Sequence, residues 1–293
     1  MNSKKINLIQ GTNEWLQWRS RGVGASDVAA LFGKSPYKTK RDLWVEKAGL
    51  CEPDEPDDES KAFIMRKGHE IEAEIREMFL KSTGVDLEPA CFERDVIFRA
   101  SLDGYEQKTG VLEAKLVGRE TLKKAAQGEI PEHHRIQIQA QLFTAEADKA
   151  FWGGKAPKVK DGVVVEIGRD EKLISQIKVE VEVFWESLQS GKAPELAKGD
   201  TLFLQDQAAL SLAVELKNLK AQKDEIEARY KELDERLKGL APHSKTKIGE
   251  LLVLEVERSG SIDYAKIPEI KALEKDYLES FRKKPSVYKT IKF

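Results

Sequence analysis

The segment FRASLDGYEQKTGVLEAKL, residues 98–116, constrains the fold more than any other part of the chain. Two apolar runs flank a turn containing Gly110, the pattern of strand, turn and strand. Side chains two apart on a strand share a face, so Glu113 and Lys115 project together from VLEAKL. Antiparallel return through the turn brings Asp103 close to Glu113. Two converging carboxylates repel one another unless a cation sits between them. The chain must therefore build a sheet and carry charge on it.

The rest of the sequence supplies the layers around that sheet. NEWLQWRSRG and SDVAALFG are short amphipathic helical pieces, and KRDLWVEKAG closes on a glycine suited to a C-cap. The acidic, proline-containing stretch CEPDEPDDES reads as a surface loop. From Lys61 to about Gly84, Phe63, Ile64, Ile71, Ile75, Met78 and Phe79 fit one long helix. Strand segments follow around CFERDVIFRASLDGYE and TGVLEAKLV, then a helix from about Glu132 to Ala147. The strands KAFWGGK and GVVVEIGRD and a helix over roughly 170–191 complete this part. The order predicts an α/β (α+β) core over residues 1–200, a central mixed β-sheet flanked by helices.

Beyond Asp200 the pattern changes, which makes residues 201–293 a separate extension. Leu212, Leu216, Leu219, Ile226, Tyr230, Leu233, Leu237 and Leu240 alternate steps of four and three, with Lys223 in the same seam. Such a helix packs on its own domain, folds back as a hairpin, or pairs with another chain. KIGELLVLEVERSGSIDYAKI then reads as a hairpin turning at RSGS, followed by a helix over EIKALEKDYLESFRKK and a strand SVYKTIKF.

Charge and cysteine content bound the partners. The net charge of −2 means that an anionic ligand must be held by a local basic patch or by metal ions. Cys51 and Cys91 have no C-x-x-C spacing, which fits a reducing, cytoplasmic setting. No run of apolar residues is long enough to span a membrane, and the polar start MNSKKINLIQGTNEW lacks a signal-peptide core.

The chemistry follows from the donor types. Carboxylate oxygens favour Mg²⁺ or Mn²⁺ over zinc. A divalent ion there polarises a phosphoryl oxygen and acidifies a bound water. Lys115 beside it would orient that water, take its proton if its pKa is depressed, or offset transition-state charge. Surface ion pairing produces the same spacing in many charged chains, but a Glu and a Lys sharing one face of an apolar strand need a reason.

His69 and Glu70 do not form a zinc helix, because position 73 is Ala73. The GKS triplet ending at Ser35 is not a P-loop, because the first glycine would fall at Val28. A glycine-rich turn entering a helix at Ser26, with Arg19 nearby, is either a seat for a terminal phosphate or a plain N-cap. Gln137 and Gln141 lie one helical turn apart in HHRIQIQAQLF, with Gln139 on another face. Lys34, Lys38, Lys40 and Arg41, with Tyr37 interleaved, form a basic stretch that either tracks a DNA backbone or is a solvated loop.

In order, the chain carries WLQWRSRGVGASD, GHEIE, S-x-D-G, L-E-x-K and Q-x-Q. This series resembles the phage lambda exonuclease and YqaJ-type recombinase family, a branch of the PD-(D/E)xK nucleases, over roughly residues 10–155. The resemblance implies a Mg²⁺-dependent exonuclease acting 5′ to 3′ on double-stranded DNA, with two ions and a phage annealing protein as partner. It implies Asp103, Glu113 and the Ala114 carbonyl as metal ligands, with Glu72 at a second ion and Lys115 as the catalytic lysine. It further implies Gln137 near the metals and a 5′-phosphate held by Arg19 and Ser26. Lambda-type enzymes form trimeric rings around duplex DNA, so a homo-oligomer in a bacterial host, phage- or prophage-encoded, is expected. The family often has a tyrosine where this chain has His134. An endonuclease on the same fold, or a non-catalytic scaffold that binds DNA ends, is the alternative expectation.

Overall fold

The computed structural model describes residues 2–50 and 59–257, apart from 158, 160, 198, 203 and 205, and isolated positions beyond 257. The chain divides into two units, Met1–Leu202 and Phe203–Phe293.

In chain order, the first unit opens with β1 (Lys4–Ile6), α1 (Asn13–Ser20) and β2 (Val23–Gly24). A 3₁₀ turn (Ala25–Asp27) leads into α2 (Val28–Leu31), then α3 (Lys40–Lys47) and α4 (Glu59–Thr83). Next come β3 (Glu88–Arg94), β4 (Phe98–Glu106), β5 (Gly110–Leu116), α5 (Arg119–Ala125) and α6 (Glu132–Ala145). The unit closes with β6 (Lys149–Lys155), β7 (Val163–Gly168) and α7 (Glu171–Gln189). The sheet runs β1-β3-β4-β5-β6-β7, with β2 parallel to the start of β4. The β5–β6 pair is parallel, and α5 and α6 form its crossover; the other neighbours along that path are antiparallel.

Helices cover both faces, because alternate residues of the central strands are apolar on both sides. Ile71, Ile75 and Phe79 of α4 pack on Leu112, Ala114 and Phe151. Gly153 allows this approach, since a Cβ there would run into Ile75. Truncating the fully buried Ile75 to alanine would cost about 2–5 kcal/mol. On the other face Ile138 and Leu142 of α6, with Ile177 and Phe184 of α7, close the main core over Ala100, Leu102 and Val111.

Local signals set several ends. Thr39 caps α3 by accepting from the Asp42 amide at 3.1 Å, and Asp42 returns the contact to the Thr39 amide. Asp170 caps α7 through the Leu173 amide at 3.0 Å. The β3–β4 turn falls at Asp95 and Val96, both with positive φ, within the run that the sequence presented as unbroken strand character. Three short elements, β1, β2 and α5, were not foreseen.

The second unit contains α8 (Gln207–Gly239), β8 (Lys245–Ile248) and β9 (Leu251–Leu254). β8 and β9 pair through a turn at Gly249 and Glu250, where Gly249 supplies the positive φ of 59° that a two-residue turn needs; the turn expected at RSGS falls mostly outside the described residues. The expected acidic loop CEPDEPDD, and most of SGSIDYAKI and the helix and strand after it, lie outside the described residues. Among the described residues, no helix is long and apolar enough to cross a membrane.

Candidate active site

The site begins as a gap in the sheet. On one edge of β4, β2 pairs with Phe98 and Arg99, whereas β5 pairs only with Gly104, Tyr105 and Glu106. Between them β4 has no strand neighbour on that side. Side chains take up the carbonyls of this stretch. Gln141 donates to Ser101 at 3.3 Å, Gln10 to Leu102 at 2.9 Å and Arg76 to Asp103 at 3.1 Å. The Ala114 amide, past the last β4–β5 pair, donates to Asp103 Oδ2 at 2.8 Å.

A cleft of about 190 Å³ opens over the gap. Asp103, Glu113, Lys115 and Gln137 line one end, and Arg19, Gly24, Ala25 and Ser26 the other. Gln10, Trp15, Trp18, Arg99 and Ser101 form the wall between them.

Glu113 is only 2% exposed, so its charge is expensive unless met by donors. Gln137 donates to Oε1 at 2.6 Å, Lys115 bonds the same oxygen, and Gln141 bonds Oε2. Asp103 is less well provided for. Burial, then the neighbouring charge of Glu113, raise its pKa well above the ordinary carboxylate range, against Lys115 and the Ala114 amide. Burial disfavours the Lys115 ammonium, but Glu113 and Asp103 outweigh it and its pKa is raised. The depressed lysine pKa entertained from the sequence is therefore corrected: Lys115 is a cation here.

Glu72 on α4 is half-buried and close enough to act on both Asp103 and Lys115. Among the described residues, no three His, Cys, Asp or Glu side chains converge into a metal-holding set. The donor chemistry of the Asp103–Glu113 pair still fits a hard divalent cation. The buried Glu113 and the half-buried Asp103 lie close enough to repel, and Asp103 is pushed toward protonation.

At the other end, Arg19 donates to Ser26 Oγ at 2.6 Å. The plain N-cap reading of Ser26 does not hold. The residue that folds this turn is Asp27, which accepts from the Gly24 amide at 3.1 Å. Asp27 is buried, paired with Lys47 at 3.1 Å and with Arg19 at 3.7 Å. Burial opposes its charge, but Lys47, Arg19 and Lys38 together hold its pKa below the ordinary range. The helix expected after Ser26 is only a 3₁₀ turn and the four-residue α2. The positive charge at this end therefore comes from Arg19 rather than from a helix dipole.

Sequence reasoning missed the wall. Trp15 donates to Ser101 Oγ at 2.8 Å, and the Arg19 guanidinium lies 5.2 Å from the Trp15 ring. Arg99 is buried, paired with Glu93 at 2.6 Å and donating to the Trp18 carbonyl at 3.0 Å. A signal was present: Arg99 interrupts an apolar strand just as Glu113 does.

The three glutamines divide their roles. Gln137 and Gln141 both serve Glu113, whereas the fully buried Gln139 ties the Gly168 carbonyl and the Asp170 amide, each at 2.8 Å. His134 is buried and accepts from Trp152 Nε1 at Nδ1, 3.2 Å away. Burial, then Lys115, lower its pKa to about 3, so it is a neutral packing residue.

The basic stretch is not part of the cleft lining. Lys34 pairs with Glu132 at 3.0 Å, Lys38 with Glu46 and Lys40 with Glu180 at 3.0 Å, and Arg41 donates to the Pro194 carbonyl. These contacts link α3 and its approach to α6 and α7.

This mixed sheet flanked by helices has counterparts among solved structures. It is similar to the alkaline exonuclease LHK-Exo from Laribacter hongkongensis, with a TM-score of 0.53 and 22% identity, covering 62% of this chain and 94% of that one. The structure of LHK-Exo in complex with dAMP gives a TM-score of 0.54 and 23% identity over the same shares, 62% and 94%. The fold is thus that of the alkaline exonucleases. Residues 14–148 match the YqaJ-like viral recombinase domain. The "Uncharacterized protein YqaJ" of Bacillus subtilis (strain 168) is 27% identical over 220 residues, 67% of this chain. The match spans 64% of the length of that relative. The resemblance carried by the motifs is borne out.

Proposed function

We propose that this protein is a Mg²⁺-dependent deoxyribonuclease that degrades double-stranded DNA from its ends, 5′ to 3′. The observation that carries the reading is the single cleft joining the Asp103–Glu113–Lys115 cluster to the Arg19–Ser26 pair. One end suits a cation and the other a terminal phosphate.

Asp103, Glu113 and the Ala114 carbonyl would hold a first divalent ion, with Glu72 contributing to a second. When bound, Mg²⁺ (or Mn²⁺) supplies charge stabilisation at the phosphate and acidifies water. Gln137 and Gln141 hold the Glu113 carboxylate in one orientation. Lys115, charged and fixed on Glu113, offers a proton donor and a positive charge to the phosphodiester oxygens. Arg19 and the Ser26 hydroxyl would receive the 5′-phosphate and so set the register of the DNA end. The products would be 5′-phosphorylated nucleotides and a 3′-ended single strand. Such a strand is a substrate for a phage-type annealing protein in recombination within a bacterial cytoplasm. Lys34, Lys38 and Arg41 would guide the duplex by exchanging their internal partners for phosphates, and ring assembly of the domain belongs to the same proposal.

The test is digestion in Mg²⁺ of linear duplex, 5′-phosphorylated or 5′-hydroxyl, beside the same DNA as a closed circle. Loss of linear DNA alone, faster with the phosphate, supports the proposal. Cutting of the closed circle would replace it with an endonuclease, and no cleavage of any form would remove the enzymatic reading.

A further inference from the structure

The helix α8 contains 33 residues, none of them buried. Most helical stability in proteins comes from packing of an apolar face rather than from propensity, so an exposed apolar stripe along α8 calls for a partner. Leu212, Ile226, Tyr230 and Leu240 are 67%, 67%, 71% and 72% exposed. Ion pairs within the helix, Lys220–Asp224 and Arg229–Glu232, support its helicity but do not cover the stripe.

The stripe has heptad order. Leu212, Leu219, Ile226, Leu233 and Leu240 occupy d positions, and Lys223 and Tyr230 fall at a. One lysine at an a position, which reaches out to solvent, is a device that fixes register at some cost in stability. The flanking charges follow the same frame. Glu215 and Arg229 sit at g, and Lys220 and Asp234 at e, each e position five residues after its g. In a parallel pair, g of one helix faces the e position five residues on in the other. Glu215 then meets Lys220 of the second copy, and Arg229 meets Asp234, both attractive. The sequence thus complements itself.

We infer that α8 pairs with α8 of a second copy of this chain as a parallel, in-register, two-stranded coiled coil. The pairing is independent of the nuclease chemistry, and it joins two chains through their extensions rather than through residues 1–200.

The test is the mass of the full chain in solution, compared among variants so that any oligomer built by the first unit is common to all. Leu219→Asp with Ile226→Asp should halve the mass. The charge-exchange set keeps helix-favouring residues, and its cost within the helix, loss of the Lys220–Asp224 pair, is common to Lys220→Glu and the double exchange and is small. Glu215→Lys alone and Lys220→Glu alone should each weaken association about tenfold, and the double exchange should restore it. The double exchange makes the charged g positions basic and the charged e positions acidic, which an antiparallel pair, matching g with g and e with e, would not tolerate. A double variant weaker than either single would therefore overturn the parallel arrangement. A mass unchanged by Leu219→Asp with Ile226→Asp would overturn the pairing and leave the stripe to residues 258–293 of the same chain.

Discussion

The backbone amide of Ala114 bonds Oδ2 of Asp103 at 2.8 Å, so a side chain stands where a strand neighbour would otherwise accept. The same residue thus finishes the sheet locally and faces Glu113. These two duties can be separated by substitution.

Asp103→Asn keeps an oxygen for the Ala114 amide and removes the charge. Activity should fall by at least about 10³-fold while the melting temperature stays close to that of the parent. Steady-state cleavage and calorimetry on one preparation test this. Near-normal cleavage by the folded variant would take Asp103 out of the site.

The raised pKa of Asp103 gives a pH signature in metal-free protein. Between its unfolded and folded pKa values, the native state binds more protons than the unfolded one. Stability is therefore fully present below the unfolded value and lost as pH rises through the folded one. Melting temperature should decline with pH in this window, and Mg²⁺ should offset the decline while releasing protons. A Mg²⁺ effect independent of pH would contradict the carboxylate assignment.

Gln141→Leu leaves Glu113 Oε2 and the Ser101 carbonyl without that donor. A loss of about 1–3 kcal/mol in stability is expected, together with a higher Mg²⁺ requirement. Gln139→Leu should cost similar stability by releasing Gly168 and Asp170, with the Mg²⁺ requirement unchanged. Equal metal dependence in the two variants would refute the division of roles.

Arg19→Ala and Ser26→Ala should bring the rates on 5′-phosphorylated and 5′-hydroxyl ends to a ratio of about one. Each variant should keep Asp27 paired with the buried Lys47. A ratio that persists in both variants would move the phosphate seat elsewhere.

Asp27→Ala should be far more damaging to the fold, by about 3–5 kcal/mol, because it strands Lys47, whose side chain is 4% exposed. Chemical denaturation measures this directly.

The chemistry was legible where charge violated apolar periodicity. Glu113 and Lys115 stood out on a strand whose neighbours are buried, and the turn containing Gly110 brought Asp103 beside them. Arg99 sent the same signal on β4, but its ion-pair partner Glu93, six residues away, lies across a hairpin turn that two positive-φ residues disguised. Strands of two or three residues such as β1 and β2 carry too few positions for periodicity to register. Which glutamines face Glu113 depended on the phase of α6 against the sheet, and only packing sets that phase. The turn at Gly249 was passed over because the apolar run LLVLEV after it drew the strand reading, whereas a single glycine with positive φ is enough to reverse the chain.

Three separate parts of the chain hem the opening in β4: the loop after β1 through Gln10, α4 through Arg76 and α6 through Gln141. Closing it would strip three carbonyls of their donors. The hollow is therefore held open by the same kind of hydrogen bond that holds the sheet, and a ligand arrives at a room already framed.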